Sequence, residues 1–211
     1  MRYLRDAGAL ARKDLLLEVR ARDTLPAMLL FVVAALVAFR FALPSEQERA
    51  AQGLLWVAIL FTALLGLGRA FVPEREQRVL DALVLAPCDR SAIWAGKVVA
   101  TFAFLVLVEL VALPAFALFF EAIDGPTIVA VLLADVGICA VGTLLAAMAV
   151  AGRARELLLP LLFLPVAIPI VVGGVGATVT DDPGRYLAFL ALYDAVFAIL
   201  AWATFEYVVT E

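Results

Sequence analysis

Three acidic residues, Glu109, Asp135 and Asp194, stand inside long apolar runs, and their position makes them the first candidates for chemistry in this sequence. A charge near the centre of a bilayer costs about 3 kcal/mol on insertion scales, so such groups are retained for a pathway, a proton relay or a packing hydrogen bond. Counted from the outer ends of their runs, they lie roughly 8 to 11 residues deep, about 12 to 17 Å at 1.5 Å per residue. All three are expected in the outer half of the hydrocarbon, facing a polar cleft, with Arg40 as counter-charge near its mouth. The competing reading is three carboxyls protonated or hydrogen-bonded in helix packing, with no transport role. Intramembrane aspartyl chemistry needs two facing carboxylates. Asp135 with Asp194 is the pair to nominate, and no motif surrounds either.

Other chemistries are limited by what the 211 residues lack. There is no histidine, which removes the commonest metal ligand, the commonest haem axial ligand and the usual neutral-pH base. No metal site is expected. No G-x-x-x-x-G-K-[ST] occurs, so the chain is not expected to bind and split a nucleotide in the P-loop manner, nor to be an enzyme. Cys88 falls in a loop and Cys139 in a span, so neither needs to be oxidised.

The elements that hold the carboxylates are membrane spans. Hydrophobic residues make up 65% of the chain and charged ones 17%, a balance that leaves too little polar surface for a soluble globule. Runs of roughly 20 apolar residues, enough to cross about 30 Å of hydrocarbon, fall at 24–43, 54–71, 96–120, 127–150, 157–179 and 186–208. They lack period-2 alternation, which argues against a β-barrel. The expected fold is an all-α integral membrane protein forming one permease domain over 1–211. It has six transmembrane helices, an N-terminal amphipathic interfacial helix and a cytoplasmic helix between spans two and three.

Orientation follows from the basic residues. With the N-terminus inside, 13 of the 16 Lys and Arg residues fall on cytoplasmic segments, as positively charged flanks should. Both termini are therefore expected in the cytoplasm, and the basic clusters need no nucleic-acid partner. Before the first span, Leu4, Ala7, Ala11, Leu15 and Val19 recur at helical spacing, suggesting a helix lying in the lipid interface with its basic side toward anionic lipid.

The loop after the second span repeats that pattern over about 73–86. Pro73 suits a first helical turn, Glu74 and Glu76 follow at its positive end, and Val79, Leu80, Leu83 and Val84 form an apolar stripe closed by Pro87. Glu74, Glu76, Arg78, Leu80, Asp81 and Leu83 are the residues expected to meet a cytoplasmic partner, although a helix merely resting on the membrane has the same pattern. In the fifth span Pro160, Pro165 and Pro169 each remove a backbone donor, so a kinked or broken helix is expected there, beside a pathway or buried in the bundle.

These residues resemble a known family. Gly53-Leu-Leu-Trp56-Val-Ala58, then Leu67, Arg69 and Phe71, then Leu80-Asp81-Ala-Leu83-Val-Leu85-Ala-Pro87 and Lys97 are similar to the CcmB haem exporter B proteins of cytochrome c maturation. So are the leucine- and proline-rich block Leu157 to Pro169 and Pro114. The pattern departs from the family at Gln77-Arg78, at Thr101 and Glu109, and at the polar turn Pro87 to Arg90. The resemblance implies an ABC-2-like permease of the bacterial inner membrane, dimeric within its complex. It would join a cytoplasmic CcmA-like ABC ATPase, which holds the ATP, to a CcmC-like haem-handling membrane protein. Haem would be the cargo of the complex or would leave it on a periplasmic haem chaperone. Two other readings use the same features: an ABC-2 permease for another lipid, drug or peptide, and a non-transporting membrane scaffold.

Overall fold

The computed structural model describes residues 2–44, 48–76, 89–151 and 155–210. Among the described residues every regular element is helical: α1 (Arg2–Ala21), α2 (Thr24–Ala42), α3 (Glu48–Arg69), α4 (Val72–Glu76), α5 (Arg90–Phe119), α6 (Gly125–Ala151), α7 (Arg155–Val179) and α8 (Gly184–Thr210). Six helices, α2, α3 and α5 to α8, are long and apolar enough to cross a membrane. In hydrocarbon only internally bonded backbone is tolerated, so long apolar runs fold as helices whatever their individual propensities.

α6 is the centre of the bundle. It touches α3, α5, α7 and α8, and more of its spanning stretch is buried than in the other five. Its sequence explains the position. Ala130, Ala134, Gly137, Ala140, Gly142, Ala146 and Ala149 keep its surface small, and small residues let neighbouring backbones approach where apolar burial alone gives little drive. α2, by contrast, buries one edge, Thr24, Met28, Val32 and Leu36 at four-residue spacing, and is peripheral.

α1 packs differently from its expected register. The buried edge is Ala7, Ala11, Asp14 and Glu18, while Leu4, Leu16 and Val19 are exposed. The apolar stripe is thus split, because two of its members are alanines small enough to lie against α5. A Cβ added at Gly96 would come within 2.7 Å of Leu10 Cβ and 3.0 Å of the Ala7 carbonyl oxygen. Only glycine permits that approach. At the end of α1 the chain turns through Arg22, in the left-handed region at φ 55°. The Glu18 carboxylate then accepts the backbone N–H groups of Thr24 (2.7 Å) and Leu25 (2.8 Å), two of the unpaired donors at the start of α2.

The fifth span does not break. α7 runs as one helix through Pro160, Pro165 and Pro169, correcting the expectation of an interrupted segment. Each proline still leaves the carbonyl four residues earlier without its helical donor. Separately, the Tyr193 hydroxyl of α8 donates to the Val166 carbonyl at 2.6 Å and ties the two helices together.

Candidate functional site

Four charged groups meet at the end of the bundle that carries α1. Lys97, one helical turn and more into α5, is 4% exposed. Its ammonium donates to the Ala70 carbonyl (2.6 Å) and to Glu74 (2.7 Å), pairs with Asp14 (3.0 Å), and stands 5.0 Å from the centre of the Phe71 ring. Lys13 reaches the same Glu74 oxygen and pairs with Asp14 at 3.1 Å. Two cations and two carboxylates balance, which is the condition for burying charge at tolerable cost. The cluster ties three pieces of chain together: α1, the α3–α4 junction and the start of α5. It therefore fixes the position of α4 against α1 and α5.

Burial works to lower the Lys13 pKa, but its hydrogen bond to Glu74 and the charges of Asp14 and Glu74 outweigh that and hold it above the ordinary 10.5. A folded value above the unfolded one stabilises the protein fully below the ordinary pKa, and this contribution is lost as pH rises through the raised value. The melting-temperature gap between wild type and Lys13→Met should be flat near neutral pH and shrink above about pH 10.5. A gap that persists unchanged in strong alkali would contradict this pairing.

Of the residues assigned to partner contact, Arg78, Leu80, Asp81 and Leu83 lie outside the described residues, as does the side chain of Glu76. Glu74 is described, and its side chain is 2% exposed. It holds the segment from inside and is not part of a face open to another protein. Lys13 and Asp14 were not singled out by sequence reasoning. The available signal was Asp14 lying in helical register with Ala7, Ala11 and Glu18.

The intramembrane carboxyls do not converge as one cleft. Glu109 of α5 and Asp135 of α6 are buried acidic neighbours, and neither Asp135 oxygen receives a donor from the described residues. Asp135 thus has Glu109 as its acidic neighbour. Asp194 of α8 instead lies over Gly137, where an added Cβ would be 2.3 Å from its Oδ1. Arg40 is exposed in the last turn of α2 and forms no ion pair with the described residues. Among the described residues no group of three His, Cys, Asp or Glu side chains is arranged to hold a metal.

The protein-family model described as CcmB protein matches residues 5–208. The chain belongs to the CcmB family. Among similar curated proteins is the Heme exporter protein B of Paracoccus denitrificans, 32% identical over 208 residues, covering 93% of this chain and 94% of that protein. The Heme exporter protein B of Rhodobacter capsulatus is 32% identical over 173 residues, 79% of each chain. That of Bradyrhizobium diazoefficiens is 27% identical over 177 residues, 81% of this chain and 80% of that one. Family membership and six spanning helices make this a multi-pass membrane protein. Of the residues that carried the CcmB resemblance, Lys97 is the hub of the ion cluster. Trp56 is buried against Gly174 of the proline-rich span.

Proposed function

We propose that this chain is the permease subunit of an ABC-type complex in cytochrome c maturation, transmitting a partner's ATP hydrolysis to haem delivery or to release of a haem chaperone. The α1 end of the bundle then faces the cytoplasm of a bacterium, with both termini there and the spans in the inner membrane. The chain acts as a single domain and as a dimer within the complex. A cytoplasmic ABC ATPase docks on the segment after α4, through Arg78, Leu80, Asp81 and Leu83, and a separate haem-handling membrane protein receives or supplies the cargo. Glu109, Asp135 and Asp194 serve helix packing within the bundle.

The observation that carries this reading is the buried cluster of Lys13, Asp14, Glu74 and Lys97. A loop that merely rests on lipid needs no such anchor. A loop that must pass force into the bundle needs one, because a push on it would otherwise move the loop alone. The cluster supplies rigid connections to α1 and α5 at the point of entry. Relatives named Heme exporter protein B support the choice of haem.

The test is ATPase coupling in the purified complex. Glu74→Gln keeps the side-chain shape but removes the charge shared by two lysines, and is expected to reduce stimulation of the partner ATPase by roughly tenfold, equivalent to about 1.4 kcal/mol of coupling. Charge reversal at Arg78 and Asp81 should do the same while the chain remains inserted. Undiminished stimulation in both would overturn this loop as the coupling path, and no stimulation by the wild type would argue for a scaffold. Stimulation by a lipid, drug or peptide with indifference to haem would favour an exporter of that substrate.

A further inference from the structure

A cavity of about 880 Å³ lies beside the ion cluster, among α1, α2, α3, α5, α6 and α7. Its size is within the range of small-molecule sites, but its shape is that of an amphiphile's berth. Along α3 the lining runs from Phe61 to Arg69, eight residues or about 12 Å at 1.5 Å per residue, from apolar wall to charged rim. Phe61 and Leu65, both on the wall, are 41% and 42% exposed, on a helix that crosses the membrane. The cavity therefore opens sideways, toward hydrocarbon, and its occupant can enter from the bilayer.

The rim has a specific charge pattern. Five charged residues line the cavity: Asp14, Glu18, Asp23, Arg69 and Lys97. Asp14 and Lys97 neutralise each other, and Glu18 is engaged by the amides of α2. That leaves Arg69 and Asp23, both exposed and neither bonded to another described residue. Among the described residues the rim thus offers one unpaired cation and one unpaired anion, which complement a zwitterion. A dianion would meet three carboxylates against two cations.

We propose that this cavity binds one zwitterionic phospholipid from the adjoining leaflet, its phosphate at Arg69, its ammonium at Asp23, and an acyl chain against Phe61 and Phe104. The lipid would sit beside the cluster that anchors the loop, so bilayer composition would act on that anchor. This goes beyond the proposed transport function, and its readout depends on neither ATP hydrolysis nor haem.

The experiment is native mass spectrometry of the full-length chain, purified with whatever accompanies it and stripped of lipid by detergent exchange. Dioleoylphosphatidylethanolamine, dioleoylphosphatidylglycerol and haem are then titrated separately. The expected result is one phosphatidylethanolamine per chain, retained about tenfold more tightly than phosphatidylglycerol. The double variant D23N/R69Q should lose most of that preference. Gly68→Leu should lower occupancy, because a Cβ there meets only Leu159, at 3.9 Å, and so places a side chain on the cavity wall without a clash. Equal or tighter retention of phosphatidylglycerol or haem, absence of any retained lipid, or variants that bind as wild type would overturn the proposal. If a variant does not fold, the wild-type comparison of the two lipids decides alone.

Discussion

Replacing Lys97 by methionine is expected to destabilise the folded protein by about 3 to 5 kcal/mol, because it strands Asp14 and Glu74 in a buried site with Lys13 as their remaining cation. The methionine stem restores most of the lost volume, so the loss is electrostatic and not a cavity effect. The same reasoning gives an opposite result for removing the set together. With Asp14→Leu and Glu74→Leu added to Lys97→Met, no buried charge lacks a partner, and Lys13, whose side chain is 38% exposed, can turn to water. Well-packed apolar replacements for buried ion pairs are neutral or stabilising by about 1 to 4 kcal/mol. The triple variant should thus recover the melting temperature lost by the single one. It should not recover coupling, since apolar contacts do not fix the loop's point of departure as directional ion pairs do. Differential scanning fluorimetry of both variants checks the first part. A triple variant as unstable as Lys97→Met would show that the cluster is needed for folding itself.

The second large effect is expected at Trp56. Its ring lies so close over Gly174 that an added Cβ would stand 2.4 Å from ring atom Cη2, and the side chain is 1% exposed. Truncating a buried aromatic to alanine costs about 3 to 5 kcal/mol in soluble cores. Inside a bilayer the transfer component is weak and the loss is mainly of packing, so the lower end, about 3 kcal/mol, is the expected cost of Trp56→Ala. Gly174→Ala forces overlap instead, at about 1 to 3 kcal/mol. Combining Trp56→Leu with Gly174→Ala should cost less than the sum of the two, since the smaller side chain makes room for the new methyl. Strict additivity in thermal denaturation would mean that the ring and the glycine are not each other's constraint.

The six spans were legible because bilayer thickness sets their length and apolar side chains fill it. The amphipathic character of α1 was legible too, but the face it buries was not. That depended on Gly96, far along the chain, accepting Ala7 and Ala11 at backbone distance. The carboxylates show the same division. That Glu109, Asp135 and Asp194 lie in spans follows from their flanks, whereas which of them are neighbours depends on how α5, α6 and α8 face each other. Local sequence contains no record of lateral arrangement. The prolines of α7 misled for a further reason: a missing donor is a local fact, but whether the helix continues past it is decided by the bundle around it, and α7 continues through all three. Lys97 with Asp14 is the clearest case, two charges on separate helices whose partnership no periodicity within either could announce.

The central claim, a permease working for a separate ATPase in haem handling, is tested most directly by capturing the tagged chain from its native membranes under mild detergent and identifying what accompanies it by mass spectrometry. The expected result is an ABC ATPase together with a haem-handling membrane protein, both lost or reduced when Arg78 and Asp81 are charge-reversed or Glu74 is replaced by glutamine. An ATPase alone would contradict the haem assignment and favour a general exporter, and capture of neither would contradict the coupling account as a whole.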